Sequence, residues 1–334
     1  MDSKLKSEKW IPIELLFGEI PRTEDLLKSV PEIILTKELW DGLCKKYSKK
    51  GSLEADWSVE RIVLAYEEAV GEWGFSEIIA AKYPNASAFQ VPAEKVRESR
   101  YQTLGGVLYS VGGHDISLVA CPPGRKGTFK IPYGVDCILP YAFHRTLISG
   151  VEWPEGVEHI DAAAFSECDQ IELMNVPESV LYVGDQNWEN PFENCHKLTV
   201  VNVDVQNPVF FSLDGLMYKK TGQLLCCPAG KRGSVTLPDT CTAIGSSAFA
   251  GCGEITEIKL SPNNQDIAPN AFSGCEQLKH IYFYTAEFDY GDESEDPFAH
   301  CSKGLCIHGI AGGSLERYAN EHGFEFEALK EPLE

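Results

Sequence analysis

Ala248-Phe249-Ala250-Gly251-Cys252 and Ala271-Phe272-Ser273-Gly274-Cys275 are two copies of one phrase, a Phe followed three residues later by a Cys. The phrase returns as Ala164-Phe165-Ser166-Glu167-Cys168. With Pro ahead of the Phe it returns as Pro191-Phe192-Glu193-Asn194-Cys195 and Pro297-Phe298-Ala299-His300-Cys301. A degenerate first copy, Ala142-Phe143-His144-Arg145-Thr146, ends in Thr. The Phe positions lie 22, 27, 57, 23 and 26 residues apart. Each copy is followed by apolar residues at i, i+3 and i+5, as in Ile255-Ile258-Leu260 and Leu278-Ile281-Phe283. The last step is strand alternation, which sends those two side chains to one face and the residue between them to the other. A unit this small cannot bury its own Phe, Cys and aliphatic residues, so units must stack and share one core.

The 57-residue interval has its own explanation. Gly106-Val107-Leu108-Tyr109 resembles Gly215-Leu216-Met217-Tyr218, and Cys121-Pro122-Pro123-Gly124 matches Cys227-Pro228-Ala229-Gly230 at an offset of 106. That offset persists to Phe143 and Phe249, so a larger block is duplicated. Each repeat is expected to hold a second short strand before its Phe, at residues 157–160 and 241–244 for example.

Together these phrases resemble the BspA-type leucine-rich repeats, found in many bacterial surface antigens and some protists. The resemblance covers roughly residues 101–330 and rests on the Ala-Phe-x-x-Cys phrase, the strand after it, and the Gly-Leu-Met-Tyr…Cys-Pro-Ala-Gly-Lys insert. It implies a mainly β repeat solenoid. Residues 1–100 form a small, mostly helical N-terminal domain capping it, 101–310 the solenoid, and 311–334 a helix-strand cap. Thr146, and Pro in place of Ala before Phe192 and Phe298, imply irregular rungs within the same fold.

The net charge is −21, and residues 1–100 carry 15 Lys/Arg against 18 Asp/Glu, leaving 14 against 32 for the rest. An acidic repeat region repels nucleic acid and anionic membrane. No apolar run approaches 18 residues, and residues 1–10 lack the apolar centre of a signal peptide. If Met1 is the natural start, the expectation is a cytoplasmic protein whose twelve cysteines are reduced and packed as small apolar groups. The relatives' usual setting makes the cell surface the alternative. Cys226-Cys227, and Cys301 through Cys306 to His308, lack the paired C-x-x-C spacing of structural zinc, so neither metal nor cofactor is expected.

In the N-terminal hundred residues, Thr36 is placed as the cap of a helix over 37–49 ended by Gly51, and residues 11–17 form a short apolar stretch. Val59, Ile62, Val63, Tyr66, Ala69, Val70 and Trp73 follow helical spacing. Ser76 then caps a helix over 77–83, stopped by Pro84. Two such helices around Gly71 and Gly74 suggest a helix-turn-helix, but only Lys82, Lys95, Arg97 and Arg100 supply positive charge; a packed helical bundle is the better reading. The paired cations Arg125-Lys126 and Lys231-Arg232 read as solvated turns. The six acids within 287–296 read as an exposed insertion without the alternating ligands of a calcium loop. Leu315, Tyr318 and Ala319 mark a closing amphipathic helix stopped by Gly323.

No phosphate loop, Gly-x-Ser-x-Gly or His-Glu-x-x-His is present, and the eight histidines are scattered, so no catalytic residue is assigned and no enzyme is expected. The outward positions of the strands offer a contact surface instead. Glu152, Asn175, Asn202, Lys259 and Tyr282 form one row, and Gly150, Leu173, Val200, Glu257 and His280 a second. The resulting expectation is a non-catalytic scaffold that binds a protein or peptide through Glu152, Asn175, Asn202, Glu257, Lys259, His280 and Tyr282. The alternatives are a cell-surface adhesin and, as a minor one, a DNA-linked regulator using the N-terminal helices.

Overall fold

Our computed structural model describes residues 30–48, 53–72, 74–92, 95, 99–112, 115–184, 189–285 and 296–329. Residues 11–17, Gly51 and nearly all of the acidic run at 287–296 lie outside them.

Each repeat turns on its Phe. In four copies the Phe amide leaves its own rung and donates to the carbonyl just ahead of the next Phe. Phe143 donates to Ala164 (2.7 Å), Phe165 to Pro191 (2.8 Å), Phe249 to Ala271 (2.8 Å) and Phe272 to Pro297 (2.8 Å). The rings then stack along the same axis: Phe143 on Phe165 at 4.7 Å and 4°, Phe249 on Phe272 at 5.2 Å, Phe272 on Phe298 at 5.1 Å. Phe192 joins at 5.6 Å from Phe165, and Asn194 N donates to Ala250 O, so the 57-residue interval loops out and the stack of backbone turns runs on past it. The buried side chains divide there into two clusters, one holding Phe143, Phe165 and Phe192 and the other Phe249, Phe272 and Phe298.

The Cys of the phrase is the second tie between rungs. The thiols of Cys168 and Cys195 donate to the carbonyls of Phe143 and Phe165 at 2.9 and 3.0 Å. Cys275 and Cys301 reach Phe249 and Phe272 at 3.5 and 3.2 Å. Burial pushes Cys168 up to about 12 and holds Cys195 and Cys252 well above the ordinary thiol range, so these groups keep the proton they donate. All twelve cysteines are free thiols. In the degenerate first copy Thr146 Oγ1 lies 3.4 Å from Cys168 Sγ, a hydroxyl in the same column.

The Pro copies are irregular in a specific way. In the Ala copies the residue two before Phe is left-handed, at Tyr141, Ala163, Ser247 and Asn270. A residue preceding Pro is pushed to extended geometry. There the side chains of Asn190 and Asp296 accept from the amides of Phe192 and Phe298, both at 2.9 Å. The expected irregularity is thus an Asx turn replacing a left-handed residue.

Between the turns run two sets of parallel strands, as the two strands per repeat required. The longer ones are Leu147–Glu152, Leu173–Val176, Val200–Val203, Glu254–Lys259, His280–Tyr282 and Cys306–Gly309; the short ones include His159–Ile160 and Ala243–Ile244. The duplicated inserts are antiparallel hairpins, Tyr101–Leu104 with Val107–Gly112 and Asp115–Ala120, and Phe210–Leu213 with Leu216–Lys219 and Gln223–Cys226. Both carry a register shift at the same place, between Leu108 and Tyr109 and between Met217 and Tyr218. Gly124 and Gly230 follow the hairpins where a Cβ would come within 2.5 Å of Asn85 O and 2.7 Å of Leu198 O, so no side chain fits.

The described part of residues 1–100 differs from expectation. Thr36 does cap a helix, α1 (Lys37–Tyr47), with Leu39 N donating to Thr36 Oγ1 at 3.3 Å. The helical spacing from Val59 to Val70 is not realised, and Trp73 lies outside the described residues. Arg61–Leu64 is a strand between parallel neighbours Glu32–Leu35 and Ala88–Gln90, followed by a 3-10 turn at Glu67–Gly71. Over four residues the two periods coincide, and pairing partners 29 and 27 positions away decide for β. The second helix, α2 (Phe75–Lys82), starts at Gly74 with φ 83°, not at Ser76. Among the described residues of this unit, the expected helical bundle is replaced by strands alternating with helices.

This unit also continues the stacking. Phe89 N donates to Gly106 O (2.8 Å) as Val201 N donates to Gly215 O (2.9 Å), and Gly124 N to Ala86 O as Gly230 N to Leu198 O (both 2.8 Å). Ala88–Gln90 thus supports the first hairpin as Val200–Val203 supports the second. No helix-turn-helix is formed by the described residues. Their cations are used internally: Lys82 Nζ donates to Glu54 O at 2.8 Å, and Lys95 Nζ to Ala65 O at 2.7 Å. At the other end α3 (Ser314–His322) buries Leu315, Tyr318 and Ala319, stops at left-handed Gly323, and leads to Glu325–Ala328 paired on Cys306–Gly309, as anticipated. No described helix is long and apolar enough to cross a membrane.

One acid is trapped beside the turns. A pocket of about 340 Å³ is lined by Tyr141, Asp161, Glu189, Asn190, Glu193 and Ser247 among others. Burial, with Glu189 and Glu167 nearby, pushes the Glu193 carboxyl up to about 7. The folded chain then holds this proton more tightly than the unfolded one. The associated stability is full below the ordinary carboxylate pKa and is lost as pH rises through about 7.

Two outcomes follow. Phe165→Ala, emptying a fully buried place in the file, lowers unfolding free energy by about 3–5 kcal/mol in urea titrations; a loss below about 1 kcal/mol contradicts a shared core. Glu193→Gln stabilises the chain by roughly 1–3 kcal/mol at pH 8 and not at pH 4. Equal effects at both pH values contradict the trapped proton.

Candidate functional site

The alternation that buries Ile258 and Ile281 sends Glu257, Lys259, His280 and Tyr282 to the other face of their strands. Pairing puts these side chains in register. Thr236, Lys259, Tyr282, His308 and Glu327 form one row, and Ser234, Glu257, His280, Cys306 and Glu325 the other. The two rows inferred from sequence therefore exist here, extended at each end by residues that were not singled out.

They are not continuous along the whole solenoid. Glu152 lies opposite Lys130 in one two-stranded ladder, and Asn175 opposite Asn202 in a second. Asn202 Nδ2 donates to Asn175 Oδ1 at 3.3 Å. Glu257, Lys259, His280 and Tyr282 belong to a third, five-stranded ladder. The second hairpin stands between, since Val203 N donates to Ser212 Oγ (3.1 Å). Leu147–Glu152 and Leu173–Val176 sit in separate sheets, and the seam between them holds a groove of about 470 Å³. Gly150 forms part of its wall, with Thr128, Glu172 and Asn175, and Leu147 and Leu173 stand exposed nearby.

The third ladder carries the densest chemistry. Ser234 Oγ donates to Glu257 Oε1 at 2.9 Å, and Lys259 Nζ lies 3.4 Å from the same oxygen. The Ser234 hydrogen bond, ahead of Lys259, holds the Glu257 carboxyl below its usual range. Lys259 Nζ also sits 5.6 Å from the Tyr282 ring centroid, and Tyr282 stacks on His308 at 4.2 Å and 7°. His308 in turn meets His280, Nε2 to Nδ1, at 3.0 Å. One nitrogen of each of these imidazoles and Cys306 Sγ all lie within 4.8 Å of one another.

Local spacing gave no reason to expect a metal at Cys306 and His308, and the fold brings His280 beside them. The third donor, His280, arrives from the neighbouring rung, 28 positions before His308, so no local spacing betrays it. The available signal was the rung period itself: Cys306 and His308 stand two apart on one strand face, and His280 pairs directly with Cys306. The paired cations after the hairpins are surface groups, in keeping with solvated turns. Arg232 meets Glu254 at 3.2 Å, and Lys231 Nζ donates to Asp214 O at a turn.

Comparison with known proteins agrees with the rungs. The family model described as the BspA type leucine rich repeat region matches residues 127–211 and 230–303, in six copies. The gap it leaves contains most of the second hairpin. No curated protein matches the chain. Among solved structures, the chain is similar to a leucine-rich repeat protein from Eubacterium ventriosum: 14% identity, 76% of this chain and 72% of that one, TM-score 0.43. It is also similar to a leucine rich cell surface protein from Faecalibacterium prausnitzii: 15% identity, 69% and 95% covered, TM-score 0.35. For the pneumococcal vaccine antigen PcpA the values are 12%, 69% and 99%, and 0.31. Likenesses this distant carry nothing about function. The matched rungs, their Phe file and their thiol-to-carbonyl ties lead to one assignment: the repeat region of this chain belongs to the BspA-type leucine-rich repeats.

Proposed function

We propose that the chain is a non-catalytic scaffold that takes a protein or peptide partner on the exposed face of its longer strands. The observation that carries this is the two-row face of the five-stranded ladder, where Glu257, Lys259, His280 and Tyr282 stand side by side on a backbone fixed by pairing on both sides. Stacked repeats make a rigid surface whose side chains vary without disturbing the core, which suits recognition. An aromatic ring flanked by a cation and held by a stacked imidazole loses little freedom when a partner covers it. Asn202 and Asn175, beyond the second hairpin, extend the surface for a partner long enough to cross it. Leucine-rich repeats generally mediate protein contacts, which supports this reading.

The test compares the full chain with a variant carrying Asn202→Ala, Lys259→Ala and Tyr282→Ala together. A control changes Tyr182 and Val205, exposed residues outside the two rows, to Ser. Immobilised proteins are challenged with native lysate and the captured proteins compared by quantitative mass spectrometry. Unchanged melting with loss of a specific captured protein from the triple variant alone is the expected result. Equal capture by the triple variant and the parent contradicts this face as the binding surface.

A further inference from the structure

The cluster at the C-terminal end of the ladder shares His280 and His308 with the proposed binding face, and the scaffold reading leaves its donor chemistry unused. His280 is exposed, whereas Cys306 and His308 are buried, 4% and 8% accessible. Two imidazole nitrogens face each other at 3.0 Å, a contact that repels unless something positive lies between them. A proton can serve. So can a metal ion: tetrahedral bonds of about 2.0–2.3 Å put ligand atoms roughly 3.3–3.8 Å apart, between the 3.0 Å of the two nitrogens and the 4.8 Å that bounds the whole group. Cys306 Sγ is the third donor, within 4.8 Å of both nitrogens.

What surrounds the donors orients them. Glu327 Oε2 lies 3.4 Å from His308 Nδ1, the far side of the ring from His280. A carboxylate there fixes the tautomer, placing hydrogen on Nδ1 and leaving the Nε2 lone pair bare. Tyr282, stacked flat on the same ring, keeps its plane aimed at His280. The nearest cation in register, Lys259, is engaged by Glu257 at 3.4 Å. Glu325, next to Cys306 on the following strand, adds negative charge beside the cluster.

We propose that His280, Cys306 and His308 form a binding site for a divalent transition metal of the zinc class, with a fourth position open to solvent. Two imidazoles and one thiolate suit a borderline-soft ion and disfavour magnesium or calcium, which need oxygen donors. Binding displaces the Cys306 thiol proton to solvent and forms the metal–sulfur bond with no change of oxidation state. Three protein ligands and an exposed fourth place are the arrangement that leaves a metal able to take a water, or a donor atom from a bound partner. The site stands whether or not the strand face binds a protein, since its readout needs none.

The full chain, purified with chelator and then freed of it, is titrated with cobalt(II) and followed by absorption. One equivalent should give a thiolate-to-cobalt charge-transfer band with intense tetrahedral d–d bands, both abolished by one equivalent of zinc. Cys306→Ser should lose the charge-transfer band, His280→Ala should weaken binding at least about 100-fold, and Glu327→Gln about 10-fold. Circular dichroism and melting check the fold, and His280 and Glu327 are exposed enough for their variants to fold if Cys306→Ser does not. Cobalt that stays six-coordinate without charge transfer means a packed histidine pair only, and overturns the site. A charge-transfer band that survives Cys306→Ser, or full affinity in His280→Ala, overturns it equally.

Discussion

The interaction on which everything else rests is the hand-over between rungs at the Phe turn. A rung of some two dozen residues makes too few internal contacts to hold itself, so its amide, its thiol and its ring are all satisfied by the rung beside it. Phe165 illustrates this. Its amide bonds forward to Pro191, its carbonyl receives the Cys195 thiol, and its ring lies against Phe143 on one side and Phe192 on the other. A thiol is well suited to that place. It is small enough to pack as an apolar group, it gives a second donor to a buried carbonyl that already accepts from the amide three residues on, and burial keeps it protonated. The residues facing away from this spine are thereby released from any structural duty, and that freedom is what a binding surface needs.

The hairpins show how the same rule accommodates an interruption. Each is seated largely by backbone: a glycine without side chain is pressed on the preceding rung, and an amide from that rung bonds to a hairpin glycine carbonyl. Because the contact uses main chain, it works on two supports of different origin, one a repeat strand and one a strand of the N-terminal unit. The price is a broken outer face. The second hairpin separates Asn202 from Lys259, and a partner must either bridge it or choose one side.

Much of this architecture is legible in the amino-acid sequence. The Phe-x-x-Cys phrase encodes the turn, the i+3 to i+5 step encodes the longer strand, and the repeated Cys-Pro-x-Gly stretches encode the inserts. These are local patterns with local causes. Features set by distant partners are not legible in the same way. Residues 61–64 fit helical spacing as well as strand spacing, and only pairing with strands 29 residues before and 27 after settles them. The left-handed turn positions at Tyr141 and Ala163 carry side chains that give no warning of positive φ, because rung geometry over-determines them. His280, Cys306 and His308 look scattered in the chain and converge only once rungs stack in register. The outward rows are visible as alternation, whereas their division into three ladders is not.

Hydrogen exchange across the rungs tests the central idea most directly. In Phe249→Ala, protection should fall most in the rung of Phe249, at Glu254–Lys259, and in the strands paired on both sides of it, Arg232–Thr236 before and His280–Tyr282 after, and least at Glu32–Leu35. Loss confined to the altered rung, with its neighbours as protected as in the parent chain, would show that each unit holds its own core and would contradict a shared spine.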